Sequence, residues 1–215
     1  MSFTFAPLLS RMQELRDLNG AIGLLTIAAL RAIGCQARIL AVAKYDHQRA
    51  LAKEFGATER LGSGGPLKAR YAAWAKALDA QVLDPELGKP AVVGGADVTF
   101  DCIGSSASID DAIRFTRSDG EMVLVGMPGI PKGVDWTPLW YKELSVRAAY
   151  AYGTERWNES PKTTFDLAIE LMTTWAPRLT KLLGKPHELA DYRQAIQAAL
   201  SSGENGIAKT TFAIG

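Results

Sequence analysis

Leu18-Asn19-Gly20-Ala21-Ile22-Gly23 has the form of the glycine turn that joins a strand to a helix in dinucleotide-binding units, with a leucine in the first glycine's place. In the full motif the first glycine makes the bend, the second lets backbone approach a pyrophosphate, and the third lets the helix pack closely on the sheet. Gly20 and Gly23 keep the second and third places. If the first place needs a left-handed backbone, leucine costs about 1–2 kcal/mol there. Taken alone, two glycines also suit a helix start in any α/β protein.

The residues beyond the turn strengthen the dinucleotide reading. Residues 21–33 are apolar nearly all round (Ile22, Leu24, Leu25, Ile27, Leu30, Ile33), which predicts a helix buried against a sheet, ended by Gly34. Residues 37–43, Ala-Arg-Ile-Leu-Ala-Val-Ala, read as a buried parallel strand. Roughly 20 positions past such a turn an acidic residue holds the ribose of NAD, whereas a basic one suits the 2′-phosphate of NADP. That place falls at Ala43, followed by Lys44 and Tyr45. The first carboxylate, Asp46, is expected to be the N-cap of the next helix. Lys44 is then either the partner of a 2′-phosphate or a solvated loop lysine.

Further along, helices are predicted over 46–55 and 67–78, the second with Leu67, Tyr71, Trp74 and Leu78 on one face. The Gly-Ser-Gly-Gly run at 62–65 is a loop. Residues 79–95, with Pro85, Gly88 and Pro90, are expected to be irregular. Residues 97–102 (Asp-Val-Thr-Phe-Asp-Cys) form the next strand, a helix after Ser108 turns Ile109, Ala112 and Ile113 inward, and 121–125 is another strand ending at Gly126. Strand and helix alternate with short links, so the fold class is α/β with a doubly wound parallel sheet of the Rossmann type, its ligands at the carboxyl ends of the strands. A strand over 143–152, a helix opened by Ser160-Pro161 with Phe165, Ala168, Ile169 and Met172 on one side, a helix over 189–200 and a final strand over 209–214 complete the reading.

Composition excludes several classes. The net charge is +1 over 215 residues, with lysine and arginine dispersed, so no nucleic-acid partner is expected. Cys35 and Cys102 are the only cysteines and His47 and His187 the only histidines, none at ligand spacing. That supports neither a disulfide framework nor a zinc site, and it fits a reducing cytoplasm. No targeting segment or membrane span is expected.

The stretches 21–34, 51–57 (Leu-Ala-Lys-Glu-Phe-Gly-Ala), 94–105 (Gly-Gly-Ala-Asp-Val-Thr-Phe-Asp-Cys-Ile-Gly-Ser), 120–129 (Gly-Glu-Met-Val-Leu-Val-Gly-Met-Pro-Gly) and 136–147 (Trp-Thr-Pro-Leu-Trp-Tyr-Lys-Glu-Leu-Ser-Val-Arg), in this order, carry a resemblance. From residue 19 on, the chain resembles the cofactor-binding half of the medium-chain dehydrogenase/reductase family, which includes the zinc-type alcohol and threonine dehydrogenases. The resemblance implies NADP or NAD as cofactor. It places Gly20, Ala21, Ile22 and Gly23 at the pyrophosphate, Ala43, Lys44 and Tyr45 at the adenosine ribose, and Ile103 and Gly104 beside the ribose and adenine. Val125, Gly126 and Met127 would lie under the nicotinamide, and Lys209 would reach the phosphates. Gly104 and Gly126 also fit plain strand-ending turns, and Lys209 an edge-strand lysine.

The chain also departs from the family. The domain that carries catalytic zinc, proton relay and substrate pocket is not found in residues 1–18, so no zinc is expected in this chain although the resembled full-length enzymes use it. Residues 1–18 read as an atypical segment before a cofactor domain over 19–215 with C-terminal helices. The first strand is expected to be missing or replaced, by 2–6 in the gap and a helix over 7–17. The chain therefore looks like a truncated oxidoreductase that is inactive alone. Two other readings stay open: a non-catalytic nucleotide-binding or dimerising remnant, and the cofactor half of a split enzyme. Trp136, Leu139, Trp140 and Tyr141, before the strand at 143–152, point to a homodimer.

Overall fold

A computed structural model describes the backbone of residues 14–18 and, in full, residues 20–86, 88–158 and 160–214. Among them a six-stranded parallel sheet organises the chain. Its strands are β1 (Glu14–Leu18), β2 (Arg38–Ala43), β3 (Glu59–Gly62), β6 (Ala96–Asp101), β7 (Thr116–Leu124) and β8 (Ser145–Ala148), in the spatial order β3-β2-β1-β6-β7-β8. The short strands β4 (Gln81–Leu83) and β5 (Ala91–Val93) form a separate antiparallel hairpin. The sheet is doubly wound: β2 and β3 lie on one side of β1, and β6 to β8 on the other.

The first strand is present, which corrects the expectation that it is missing. β1 pairs with β2 from Glu14↔Arg38 to Leu18↔Val42 and with β6 from Leu15↔Val98 to Asp17↔Phe100. Its Glu-Leu-Arg-Asp-Leu sequence lacks the apolar run typical of a central parallel strand. Pairing engages backbone groups, which every residue of the segment supplies. Residues 14–17 are therefore strand and not the end of a helix; the gap-filling strand expected at 2–6 lies outside the described residues.

Helices cover both faces. Along β2, Ile39 and Ala41 pack with Leu24, Ile27, Ala28 and Leu30 of α1 (Ala21–Ala32) and with Phe55, beyond α2 (Asp46–Glu54). Leu40 and Val42 turn to the other face, against Tyr71, Trp74 and Leu78 of the α3 region (Leu67–Ala77) and against Phe115. This strict alternation with both sets buried is what a two-faced sheet requires. A third cluster joins Ile109, Ala112 and Ile113 of α4 (Ser106–Phe115) to Met122 of β7, with Leu139 of α5 (Thr137–Tyr141) against it. Ser105 caps α4 by accepting from the Ser108 amide at 3.1 Å.

Lys142 closes the other end of α4. Buried to 2% exposure, its ammonium donates to the carbonyls of Arg114 at 2.6 Å and Thr116 at 2.7 Å. Burial, with the nearby Arg114 charge, pulls the amine down to about 8. Here a cation satisfies the orphan carbonyls that every helix C-terminus leaves.

Four other details differ from the sequence reading. Tyr45, not Asp46, is the N-cap of α2, because the Asp46 carboxylate is drawn to Arg49. Residues 79–95 are not wholly irregular, since they hold the β4–β5 hairpin. Ser160-Pro161 belongs to β10 (Ser160–Thr163), paired with β9 (Thr154–Trp157). Helix α6 (Thr164–Leu179) starts after Thr163, whose hydroxyl accepts from the Asp166 amide at 3.1 Å. The chain then runs through β11 (His187–Glu188) and α7 (Tyr192–Leu200) to β12 (Phe212–Ala213), which pairs in parallel with β11. Among the described residues no helix is long and apolar enough to cross a membrane.

Candidate functional site

The strand order reverses between β1 and β6, and in an open doubly wound sheet the crevice beyond the carboxyl ends of the strands at such a switch point is where ligands bind. Gly20 stands at that point. It is the N-cap of α1, with extended backbone (φ −106°, ψ −160°) and its carbonyl accepting from the Leu24 amide at 3.0 Å. A Cβ built on Gly20 would meet nothing within 4 Å among the described residues, so their packing does not demand glycine there. Helix α1 has no side-chain cap and no acidic residue in its first turn. Its opening amides lie at the positive end of its dipole, an arrangement that favours an anion. Ala21 is half-buried, Ile22 exposed and Gly23 buried.

On the β2 side, Ala43 is buried and Lys44 exposed. The Lys44 ammonium lies 5.1 Å over the Tyr45 ring, and His47 stacks on the same ring at 5.7 Å. Tyr45 also presses on the turn at Gly203, where a Cβ would come within 2.1 Å of its ring. A cavity of about 270 Å³ opens beside it, lined by Tyr45, Gln197, Leu200, Ser201, Gly203 and Glu204.

On the other side, the ends of β6 and β7 are pressed together. Asp101, fully buried, accepts from the amides of Ile103 at 3.0 Å and Gly104 at 3.2 Å through Oδ1. The Asp101 carbonyl accepts from the amides of Val125 and Gly126. A Cβ on Gly126 would stand 2.4 Å from the Ile103 carbonyl carbon, and one on Gly104 (φ +78°) 2.5 Å from the Met127 carbonyl oxygen. Ile103 and Met127 are left exposed at 50% and 87%, two apolar side chains at the mouth of the crevice. Lys209 is exposed, and its amide donates to the Leu182 carbonyl at 2.8 Å.

Two contributors escape the sequence reading. Arg49, on the first turn of α2, folds back so that Nη1 donates to the carbonyls of Ala43 at 3.0 Å and Lys44 at 3.3 Å. Its signal is the Asp46-x-x-Arg49 spacing, which places two opposite charges on one helix face. Asp101 reads from sequence only as part of a strand; its signal is a carboxylate two residues ahead of the Ile103-Gly104 turn, in reach of the turn's amides.

Among the described residues no three histidine, cysteine or acidic side chains come together as a metal set. Cys35 and Cys102 are buried, with Cys102 Sγ 3.7 Å from the Thr26 hydroxyl.

Residues 21–166 match the family model described as zinc-binding dehydrogenase. The chain is similar to L-idonate 5-dehydrogenase of Vitis vinifera, 32% identical over 136 residues, covering 62% of this chain and 33% of that protein. It is similar to sorbitol dehydrogenase 1 of Saccharomyces cerevisiae at 27% identity, covering 86% of this chain and 46% of that protein. Among solved structures, L-idonate 5-dehydrogenase from Escherichia coli superposes with a TM-score of 0.69 at 21% identity, over 96% of this chain and 51% of that one. An alcohol dehydrogenase from Escherichia coli CFT073 solved with cofactor NADH superposes with a TM-score of 0.63 at 18% identity, over 88% of this chain and 49% of that one. The chain thus spans between a third and about half the length of the relatives it matches.

Proposed function

The chain belongs to the zinc-binding dehydrogenase family, and from that premise we propose that it binds a dinucleotide, NADPH in preference to NADH, as the cofactor-binding part of an oxidoreductase that moves hydride between a carbinol carbon and the nicotinamide ring. The observation that carries this is the Gly20 turn: an uncapped helix start at the switch point of the sheet, with open space where a Cβ would stand. Gly20, Ala21, Ile22 and Gly23 take the pyrophosphate. Ala43, Lys44 and Tyr45 face the adenosine ribose, and Ile103 and Gly104 flank the ribose and adenine. Val125, Gly126 and Met127 line the nicotinamide end, with Lys209 neutralising phosphate. The cofactor domain is taken as 19–215, with β1 completing its sheet. A bound dinucleotide supplies the hydride acceptor or donor; the protein's part is to hold and orient it.

Zinc does not fit the residues described. With no three ligands assembled, no chemical step is assigned to it in this chain. Two cysteines in 215 residues, both buried, suit a reducing, cytoplasmic setting.

Cofactor preference is tested by titrating NADPH and NADH against tryptophan fluorescence. Ala43 presents no carboxylate to a 2′-phosphate, and Lys44 offers a charge-assisted bond, so NADPH is expected to bind at least about tenfold more tightly, with Lys44→Ala narrowing the difference. Tighter NADH binding, or an unchanged ratio in Lys44→Ala, would remove Lys44 from the site.

Association as a homodimer is part of the same proposal. All four residues of β8, the edge strand, are exposed, and beside it Trp136, Trp140 and Tyr141 stand 49%, 79% and 46% exposed; Leu139 instead packs inward. An unpaired edge beside large apolar side chains is a surface that a second copy would cover. Light scattering at micromolar concentration is expected to give twice the chain mass; a monomer contradicts it.

A further inference from the structure

We propose that Arg49 is a second cation for the 2′-phosphate, that Asp46 occupies it in the free protein, and that the competition between Asp46 and the phosphate sets how strongly the cofactor's 2′ position is read. This rests on the dinucleotide reading above and adds to it a selectivity device in the same site.

The Arg49 guanidinium is fixed at the end of β2. Both Nη1 hydrogens are spent on backbone carbonyls, those of Ala43 and Lys44, and the head lies against the end of β3, with Nη1 3.9 Å from where a Gly62 Cβ would stand. A guanidinium has five N–H donors in a rigid plane, and its Nε–Nη2 edge is the one that matches two oxygens of a phosphate or carboxylate. Holding Nη1 on the backbone turns that edge away from the strand ends. Asp46 reaches it through one oxygen only, on Nη2. The Asp46 side chain is 95% exposed and the Arg49 side chain 28% exposed, so the pair sits where solvent and ligand can reach it.

Such an exposed i, i+3 pair contributes little to stability. Its consequence for binding is larger. Lys44, one residue beyond Ala43, brings a second positive charge to the same strand end, whereas Asp46 brings a negative one. A 2′-phosphate must displace the carboxylate from Arg49 and remain beside its charge. A ribose with a free 2′-hydroxyl gains nothing from Arg49, and the exchange does not affect it. Removing the Asp46 charge should therefore strengthen 2′-phosphate binding selectively, a gain that a merely structural pair would not produce.

The probes are 2′,5′-ADP and 5′-AMP, which differ only in the 2′-phosphate, titrated calorimetrically into the wild-type chain, Asp46→Asn and Arg49→Gln. Asp46→Asn is expected to bind 2′,5′-ADP about five- to tenfold more tightly and to leave 5′-AMP unchanged. Arg49→Gln is expected to weaken 2′,5′-ADP by about ten- to a hundredfold, as loss of a hydrogen bond to a charged group implies, again without moving 5′-AMP. Should loss of the Arg49 contacts to Ala43 and Lys44 unfold the protein, Asp46→Asn decides alone. Unchanged 2′,5′-ADP affinity in Asp46→Asn, or a parallel shift for 5′-AMP, overturns the role of Asp46 while the dinucleotide reading stands. A wild-type chain that binds neither probe overturns both.

Discussion

Replacing Arg114 with methionine is expected to lower the unfolding free energy by about 3–5 kcal/mol, the usual cost of removing one partner from a buried ion pair. Arg114 is 2% exposed and spends all its reach on three different segments. Nε donates to Asp110 at 3.2 Å on its own helix, Nη1 to the Pro90 carbonyl at 2.8 Å beside the β4–β5 hairpin, and Nη2 to Asp135 at 2.6 Å ahead of α5. Burial acts against its charge, but its hydrogen bonds to Asp135 and Asp110 and the Asp110 charge more than offset it, and the guanidinium pKa is raised. Asp110 would keep Lys89 at 3.0 Å and the Asp135 amide at 2.8 Å, which bounds the loss. Denaturant unfolding measures it; a change under about 1 kcal/mol would mean that the three segments hold without the guanidinium.

A pH signature accompanies this. Hydrogen bonding to Thr137, with the Arg114 contact, holds the Asp135 carboxyl at about 2 against an ordinary 3.8. A depressed carboxyl stabilises the fold fully above its unfolded pKa, and that share is lost as pH falls from about 4 towards 2. In Arg114→Met this acid-side slope should be shallower than in the wild type.

Gly126→Ala is expected to be the most damaging single methyl in the crevice, costing about 3 kcal/mol or more and abolishing dinucleotide binding. Overpacking a core commonly costs about 1–3 kcal/mol because side chains can yield. Here the obstacles are backbone atoms, the Ile103 carbonyl carbon at 2.4 Å, the Ile103 nitrogen at 2.5 Å and the Gly104 nitrogen at 2.6 Å. The added methyl must force the β6 and β7 loops apart, breaking the hydrogen bonds that the Val125 and Gly126 amides donate to the Asp101 carbonyl. Thermal melting and NADPH titration read both effects. An unchanged melting temperature would show that the loops are not in contact.

How much of this can be read from sequence depends on where burial and chemistry coincide. α1 and β2 are nearly continuous apolar runs, β6 alternates Ala96, Val98 and Phe100 with polar residues, and their burial makes all three legible. β1 is as central as β2, yet Glu14, Arg16 and Asp17 conceal it, since a backbone ladder has no side-chain requirement that a reader can count. The helix over 164–179 is legible as a helix; its start is not, because Ser160-Pro161 imitates a helix opening while the working cap is Thr163. Its apolar side also misleads: Phe165, Ile169 and Met172 are 59%, 63% and 54% exposed, and no residue of α6 is buried. At the site, strand-end glycines and Lys44 are visible as residue types. The Arg49 placement is hidden because reading Asp46 as a cap gives its carboxylate another partner.

The central claim is that Gly20 is glycine for the sake of a bound pyrophosphate and not for the fold. Gly20→Val separates the two, because among the described residues nothing lies within 4 Å of the position its Cβ would take and its backbone is extended, a conformation valine adopts readily. The decisive measurement is calorimetric titration of NADPH into the wild type and Gly20→Val, with melting temperatures of both. The expected result is measurable binding by the wild type, at least a hundredfold loss in Gly20→Val, and melting temperatures within about 2 °C, since surface changes away from packed contacts stay within about 0.5 kcal/mol. Equal NADPH affinity in the two proteins, or no binding by the folded wild type, would contradict the account.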